Sequence, residues 1–349
     1  MYVLHIVRMW PHATDPQHGS FVQAHIQSLQ EVGIEKQGVL VWDGQSTALL
    51  SGEITANISR PKNTRFWAKW RQLRHCLEQD TPQILHVHGG GWDSSAAMLL
   101  CHMLFGSRIR RVVTEHQSHW LYTPHPGAVW TARLAHARTA VSPWLARHII
   151  KSVGTDQSMH FIPNCLKAPS LPLERSQATH RRFLWVGDMV PIKQFDQLLE
   201  AWDTHHLQFP KDHLTVMGSG PEALLLFPKQ PGRTYFGPAI PREVHQAMLH
   251  HDILIVHSLQ ETFSMVIGEA LERGMAVLST PLQAVKDIYG EGGNLHIRED
   301  FSLANLQEHM ARSEKAMAPP PVFQDYRETA VGKAFRVLYD QLWIGKKTK

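Results

Sequence analysis

The 349-residue sequence predicts an α/β protein of two Rossmann-like α/β/α domains facing each other across a cleft, and three observations carry that reading. Short apolar runs alternate with longer amphipathic stretches along the whole chain, the pattern of strands wound with helices. A polar, proline-containing stretch, KAPSLPLERSQATHRR at 167–182, interrupts the pattern near the middle. The alternation then restarts, so what recurs is a whole domain rather than a short motif.

In the first half, strands are expected at Tyr2–Val7, Gly38–Val41, Ile84–Val87, Arg111–Thr114, Thr139–Val141 and Met159–Ile162. Between them, helices are expected over Ser20–Val32, Phe66–Gln79, Asp93–Phe105, Pro126–Ala135 and Pro143–Val153. In the first helix Phe21, Ala24, Ile26, Leu29 and Val32 fall mostly on one face at the helical period. Several strands hold few polar positions, as expected when helices cover both faces of a sheet. The second half repeats the scheme with strands Arg182–Val186, His213–Met217, Thr234–Phe236, Ile253–Val256 and Ala276–Ser279. Its helices are expected at Gln194–Thr204, Pro221–Phe227, Pro241–His250 and Met265–Arg273, followed by Leu303–Ser313 and Phe323–Trp343. The domains expected are therefore 1–168 and 181–329 with a linker at 169–180. The last helix, about residues 330–349, is expected to pack back on the first domain. In open α/β sheets ligands bind beyond the carboxyl ends of the strands, which directs attention to the loops there.

A hydrophobic fraction of 43 % and a charged fraction of 19 % exclude wholesale disorder, and three cysteines exclude a disulfide-framed scaffold. No run of 18 apolar residues exists, and the start, MYVLHIVRMW, reads as a first strand rather than a signal peptide; a cytoplasmic location is expected. The net charge of +4 is too small for a nucleic-acid-binding surface. The 24 histidines are scattered without HExxH or Cys/His ligand spacing, so no local motif indicates a metal site.

The most informative stretch is Val256–Ala270, VHSLQETFSMVIGEA. A strand ends in a short loop carrying Ser258 and Glu261, and Glu269 follows eight residues later in a helix, about 80° out of alignment at 100° per residue. The two carboxylates therefore need not serve the same group. Thr262, Phe263 and Ser264 form the turn between them, whose free N–H groups and positive helix end suit an anion. The plainer alternative makes Glu261 a helix cap and Glu269 a surface residue. Gly218, Ser219, Gly220 and Pro221 leave a strand and open a helix, with glycines that permit a tight turn and close backbone approach to a ligand. Lys193, in a strand-to-helix loop, carries an ammonium suited to the growing charge on a diphosphate leaving group. In the first half Gly19 opens the first long helix, while His88–Gly89–Gly90–Gly91 and Glu115–His116 end strands. His116 is the histidine expected to face the cleft. The stretch 60–75, RPKNTRFWAKWRQLRH, places Phe66, Trp70 and Leu73 on one helical stripe beside Trp67, with Arg65, Lys69, Arg71 and Arg74 around them. Such a helix suits either a domain core or an anionic membrane surface.

With these residues in order, the chain resembles the retaining glycosyltransferase family 4, the group 1 glycosyltransferases of GT-B fold, over nearly its whole length. The family's Glu-x7-Glu motif corresponds to Glu261 and Glu269, and its donor-side glycine loop to Gly218, Gly220 and Pro221. Its phosphate-side lysine resembles Lys193, its sugar-facing histidine His116, and its N-terminal glycine loop Gly19. Several positions depart from the family's pattern. Asp188 stands where an arginine is usual, Thr262–Phe263–Ser264 where glycine-phenylalanine-glycine is usual, Cys165 follows Asn164 in place of glycine, and Leu282–Gln283 replace glycines ahead of Asp287.

The resemblance implies transfer of a sugar, with retention, from a nucleotide-diphosphate sugar to a glycan or lipid-linked saccharide in cell-surface polysaccharide biosynthesis. It implies no prosthetic group and no required metal. Lys193 with the Gly19, Thr262 and Phe263 backbones would face the diphosphate. Glu261 would hold the donor sugar, Glu269 the ribose, and His116 the far side of the sugar. A nucleotide-sugar 2-epimerase and a noncatalytic sugar-nucleotide-binding protein are the alternatives. A dehydrogenase is opposed by the missing N-terminal dinucleotide fingerprint.

Overall fold

The computed structural model describes residues 1–13, 17–43, 56–61, 65–117, 120, 123–156, 158–169, 180–227, 230–316 and 318–344. Most of the expected linker, Lys62–Thr64 of the basic stretch and the end of the last expected helix lie outside the described residues. The chain forms two compact units, Met1–Cys165 with Gln324–Lys349, and Leu166–Phe323.

The first unit holds a seven-stranded parallel sheet of β1 (Tyr2–Val7), β2 (Lys36–Val41), β3 (Asn57–Ser59), β4 (Ile84–His88), β5 (Arg110–Glu115), β6 (Ala137–Ala140) and β7 (Met159–Phe161). Its spatial order is β3-β2-β1-β4-β5-β6-β7. The helices are α1 (Ser20–Gln30), α2 (Phe66–Gln79), α3 (Trp92–Phe105), α4 (Pro126–Leu134), α5 (Pro143–Val153) and the returning α11 (Glu328–Ile344). Strand alternation divides the core in two. Leu4 and Ile6 pack with Leu85, Val87 and Met98 on one face, while Val3 packs with Ile84, Val112, Phe335 and Leu338 on the other. Local signals set the helix ends, as in α5, where the Ser142 hydroxyl accepts from the Leu145 N–H, Pro143 starts the helix and Gly154 closes it at φ 83°.

The second unit holds β8 (Arg182–Val186), β9 (His213–Met217), β10 (Arg233–Gly237), β11 (Ile253–Val256), β12 (Ala276–Ser279) and β13 (Leu295–Ile297), in the order β10-β9-β8-β11-β12-β13. Its helices are α6 (Phe195–Gln208), α7 (Pro241–His250), α8 (Met265–Glu272), α9 (Gln283–Tyr289) and α10 (Leu303–Arg312). Ile253–Val256 is buried throughout, with Ile253 and Ile255 against Trp202 and Phe195, and Leu254 and Val256 against Ile267 and Leu271.

Five elements differ from expectation. Residues 221–226 form a 3₁₀ turn rather than an α-helix; Ala223 and Leu226 meet the core while Leu224 and Leu225 are exposed, and Pro228 follows in the sequence. The expected helix 323–343 breaks into a 3₁₀ turn, Gln324–Tyr326, and α11. β3, β13 and α9 were not expected, being three, three and seven residues long, too short to show a period. In each sheet the strand order reverses direction between two neighbours, β1 and β4 in one and β8 and β11 in the other. Open α/β sheets bind ligands at the carboxyl ends beside such a switch point.

Candidate active site

At the switch point of the second sheet, the loop after β8 carries Lys193 and the loop after β11 carries Ser258 and Glu261. The Leu259 N–H donates to the Ile192 carbonyl at 2.8 Å, so the two loops are tied through their backbones. Lys193 Nζ lies 2.6 Å from Glu261 Oε1, and the Ser258 hydroxyl donates to the same oxygen at 2.9 Å. Thr280, at the end of β12, donates its hydroxyl to the Ser258 carbonyl at 2.6 Å and holds that loop in turn. Both side chains of the ion pair keep an edge in solvent, so the pair is accessible rather than sealed.

Backbone strain marks the same two loops. Among the described residues three non-glycines have positive φ, and two of them are Gln194 (φ 46°), next to Lys193, and Ser264 (φ 57°), three residues after Glu261. Such conformations cost about 1–3 kcal/mol and persist where the surroundings fix them. Ser264 precedes the first turn of α8; its carbonyl accepts from the Tyr289 hydroxyl at 3.1 Å, and Phe263 is buried against the Tyr289 ring. The Ser264 hydroxyl itself is buried without a hydrogen bond. Thr262 and Phe263 thus lie directly ahead of a helix start whose first N–H groups have no partner within the helix. Glu269, on α8, meets His245 Nε2 of α7 at 3.1 Å, so the two glutamates have different partners.

The glycine loop has a reason to be glycine that the sequence did not reveal. A Cβ on Gly218 (φ 138°) would lie 1.9 Å from the Gly187 carbonyl oxygen, and one on Gly220 (φ 148°) would lie 2.5 Å from the Met189 carbonyl oxygen. The Met189 N–H also donates to the Ser219 carbonyl at 2.7 Å. The loop containing Gly218, Gly220 and Pro221 therefore presses backbone to backbone on the segment leading to Lys193.

Sequence reasoning also missed Arg298. It follows β13, is almost fully buried, and its Nη2 lies 2.5 Å from His257 Nδ1, while His257 Nε2 lies 3.3 Å from Gln197 Oε1. Burial, then the Arg298 charge, push the His257 pKa down to about 3, so His257 is neutral beside the arginine. Burial lowers Arg298 to about 10, still charged at neutral pH. A lone arginine 41 residues from its partner gives no local pattern to read.

In the first unit, Gly19 (φ 73°) precedes α1, and a Cβ there would lie 2.5 Å from the Met9 carbonyl carbon. His88 ends β4, and the Gly90 N–H donates to Glu115 Oε1 at 2.9 Å. Burial raises the Glu115 pKa to about 7 against its hydrogen bond from the Gly90 N–H. His116 follows β5, at a strand's carboxyl end as expected. Its ring is turned inward, packing on Phe21, His25 and His88, with Nε2 3.4 Å from His88 Nδ1.

Residues 39–167 match the family profile described as Glycosyltransferase Family 4, and residues 180–312 match the profile described as Glycosyl transferases group 1. The chain belongs to the group 1 glycosyltransferases. A relative in Bacillus subtilis (strain 168), TuaC, bears a name that assigns it to teichuronic acid biosynthesis as a glycosyltransferase; it is 24 % identical over 404 residues, covering 100 % of each chain. Among solved structures, the apo form of the lipopolysaccharide outer core galactosyltransferase WaaB aligns at a TM-score of 0.73 and 14 % identity, covering 98 % of this chain and 99 % of that one. Anabaena HepE in complex with UDP and glucose aligns at 0.69 and 13 % identity, covering 100 % of both. The fold of the group 1 family is GT-B, and each parallel-sheet unit described above is one of its two α/β domains. Among the described residues no helix is long and apolar enough to cross a membrane.

Proposed function

We infer that the protein transfers a sugar, with retention of anomeric configuration, from a nucleotide-diphosphate sugar to a glycan or lipid-linked saccharide of a cell-surface polysaccharide. The observation that carries the reading is the Lys193–Glu261–Ser258 constellation at the switch point of the second sheet. A lysine at that edge neutralises charge that grows on a departing diphosphate, and the N–H groups at the start of α8 add donors that need no reorganisation. Glu261, already oriented by Lys193 and Ser258, is placed to accept from donor-sugar hydroxyls. When the diphosphate takes up the Lys193 ammonium, Glu261 is released for that task. Glu269 is assigned to the ribose, exchanging its His245 contact for a hydroxyl. The departing phosphate oxygen takes the acceptor's proton, so no carboxylate need serve as a covalent nucleophile, and the lysine performs the charge neutralisation for which other transferases use a divalent cation.

The first unit, with glycines at the start of α1 (Gly19) and after β4 (Gly89–Gly91), receives the acceptor in this reading. The names of TuaC and WaaB, both tied to bacterial envelope glycans, support that acceptor class. Helix α2 supports an encounter with an anionic membrane surface: Trp67 is 68 % exposed and Phe66 42 %, while Arg71 and Arg74 are also exposed. The test is a donor screen by calorimetry, followed by transfer assays with the donor that binds and product analysis by NMR. Parent protein should yield an α-linked product from an α-linked donor, and Glu261→Gln should lower the rate by about 100-fold or more without loss of fold. Donor binding without transfer or hydrolysis across a broad acceptor panel, or release of a free 2-epimer, would replace this reading.

A further inference from the structure

Five histidines from four elements meet beneath the carboxyl edge of the first sheet, all buried: His5 of β1, His25 of α1, His86 and His88 of β4, and His116 after β5. Parallel register makes this meeting. His5 pairs with His86, Val7 with His88, and His88 with Thr114, so the histidines at alternate positions share one face, and α1 lies over it. Their hydrogen bonds settle which nitrogens carry protons. The Gln37 amide donates to the Ile26 and Ile34 carbonyls, both at 3.1 Å, which leaves Gln37 Oε1 to accept from His5 Nε2 at 3.0 Å. His5 Nδ1 then accepts, so His88 Nε2 donates to it at 3.3 Å and His88 Nδ1 keeps a lone pair aimed at His116 Nε2, 3.4 Å away. His25 Nε2 donates to the Pro163 carbonyl at 2.9 Å, which leaves its buried Nδ1 with a lone pair and no hydrogen bond.

We propose that His25, His88 and His116 form a three-imidazole site for a divalent transition-metal cation of the zinc type. One ring nitrogen from each lies within 4.8 Å of the other two. Tetrahedral zinc–imidazole geometry needs nitrogens about 3.3 Å apart, close to the 3.4 Å between His88 and His116, and the third ring moves inward to close the site. Ligating histidines characteristically donate their other N–H to an acceptor. Here His25 has Pro163, and His88 has His5 backed by Gln37. Loading the site requires one change of tautomer, at His116, whose proton moves from Nε2 to Nδ1. His86 is not a ligand, because both its nitrogens are taken, by the Tyr339 hydroxyl and the Thr114 hydroxyl at 2.6 Å each. Burial keeps the cluster neutral, the form that binds metal. The fourth position is left to water or a small anion. The site lies within the first unit, and it clamps α1 to the strand ends.

The test uses untagged full-length protein, grown with zinc or with cobalt(II) and purified without chelator. Metal analysis should find about one equivalent per chain, and the cobalt protein should show the intense visible bands of tetrahedral coordination. His25→Ala and His88→Ala should lose the metal, His148→Ala on the outside of α5 should keep it, and Gln37→Ala should weaken it about 10- to 100-fold. Less than a tenth of an equivalent, octahedral cobalt bands, or unchanged stoichiometry in His25→Ala would overturn the proposal. If His88→Ala fails to fold, the spectrum of the parent protein still decides. Nucleoside diphosphate binding, measured in parallel, reports on the donor site independently.

Discussion

Lys193 and Glu261, 68 residues apart in the chain, meet at 2.6 Å because the loops that bear them leave adjacent parallel strands at the point where the second sheet reverses its order. In the function proposed above, this pair forms part of the donor site. Its partial exposure makes it a weak contributor to stability.

Removing the lysine should therefore affect binding and not folding. Lys193→Ala is expected to weaken nucleoside diphosphate binding about 10- to 100-fold by calorimetry, while leaving nucleoside binding unchanged. Equal affinity in parent and variant would remove Lys193 from the phosphate site.

The strained serine gives a stability prediction of opposite sign. Ser264 sits at φ 57° with a buried, unbonded hydroxyl, at a position where glycine would be relaxed. Ser264→Gly should stabilise the second unit by up to about 1 kcal/mol in urea unfolding. A destabilised variant would mean that the hydroxyl has a bound partner.

His257 predicts an acid sensitivity with a definite direction. Burial, then Arg298, hold its folded pKa at about 3, whereas in the unfolded chain it is near 6.5. The unfolded state thus takes up a proton first as pH falls. The stability from a neutral His257 is complete above about pH 6.5 and falls by about 1.4 kcal/mol per pH unit below it, down to the folded pKa. Urea titrations at pH 7.5 and pH 5 should show the loss in the parent protein and a flatter profile in His257→Gln.

Helix α2 yields a prediction about surfaces. Cosedimentation with vesicles containing anionic lipid should be salt-sensitive, and it should fall several-fold in Trp67→Ala and in the double variant Arg71→Ala, Arg74→Ala. Neutral vesicles should bind weakly, since each basic residue near an anionic surface adds about 1 kcal/mol. Equal binding in Trp67→Ala would assign that face to water.

Much of this architecture is legible in the residues. Runs such as ILIV at 253–256 and YVLHIV at 2–7 are long enough to show strands, and the proline-bearing stretch separates two α/β patterns. Lys193, Ser258 and Glu261 could be singled out because each sits just past a readable strand. What stayed hidden depends on pairing between distant strands. Arg298 against His257 and the five-histidine cluster draw on positions tens of residues apart, and a search for closely spaced ligands passes over them. The glycine loop was recognised but its cause was not, since the atoms it avoids belong to Gly187 and Met189.

Helix α11 completes the first unit from far downstream: Val331, Phe335 and Leu338 fill one side of its core, and the Tyr339 hydroxyl meets His86. During synthesis the ribosome therefore makes the whole of 166–323 before the first unit receives its last wall. The later-made unit can finish folding while the earlier one still waits with Val3, Ile84 and Val112 uncovered. Truncations that spare every residue of the second unit but cut before 328 should consequently yield a nascent chain that chaperones retain, a vulnerability set by the order of translation rather than by the chemistry.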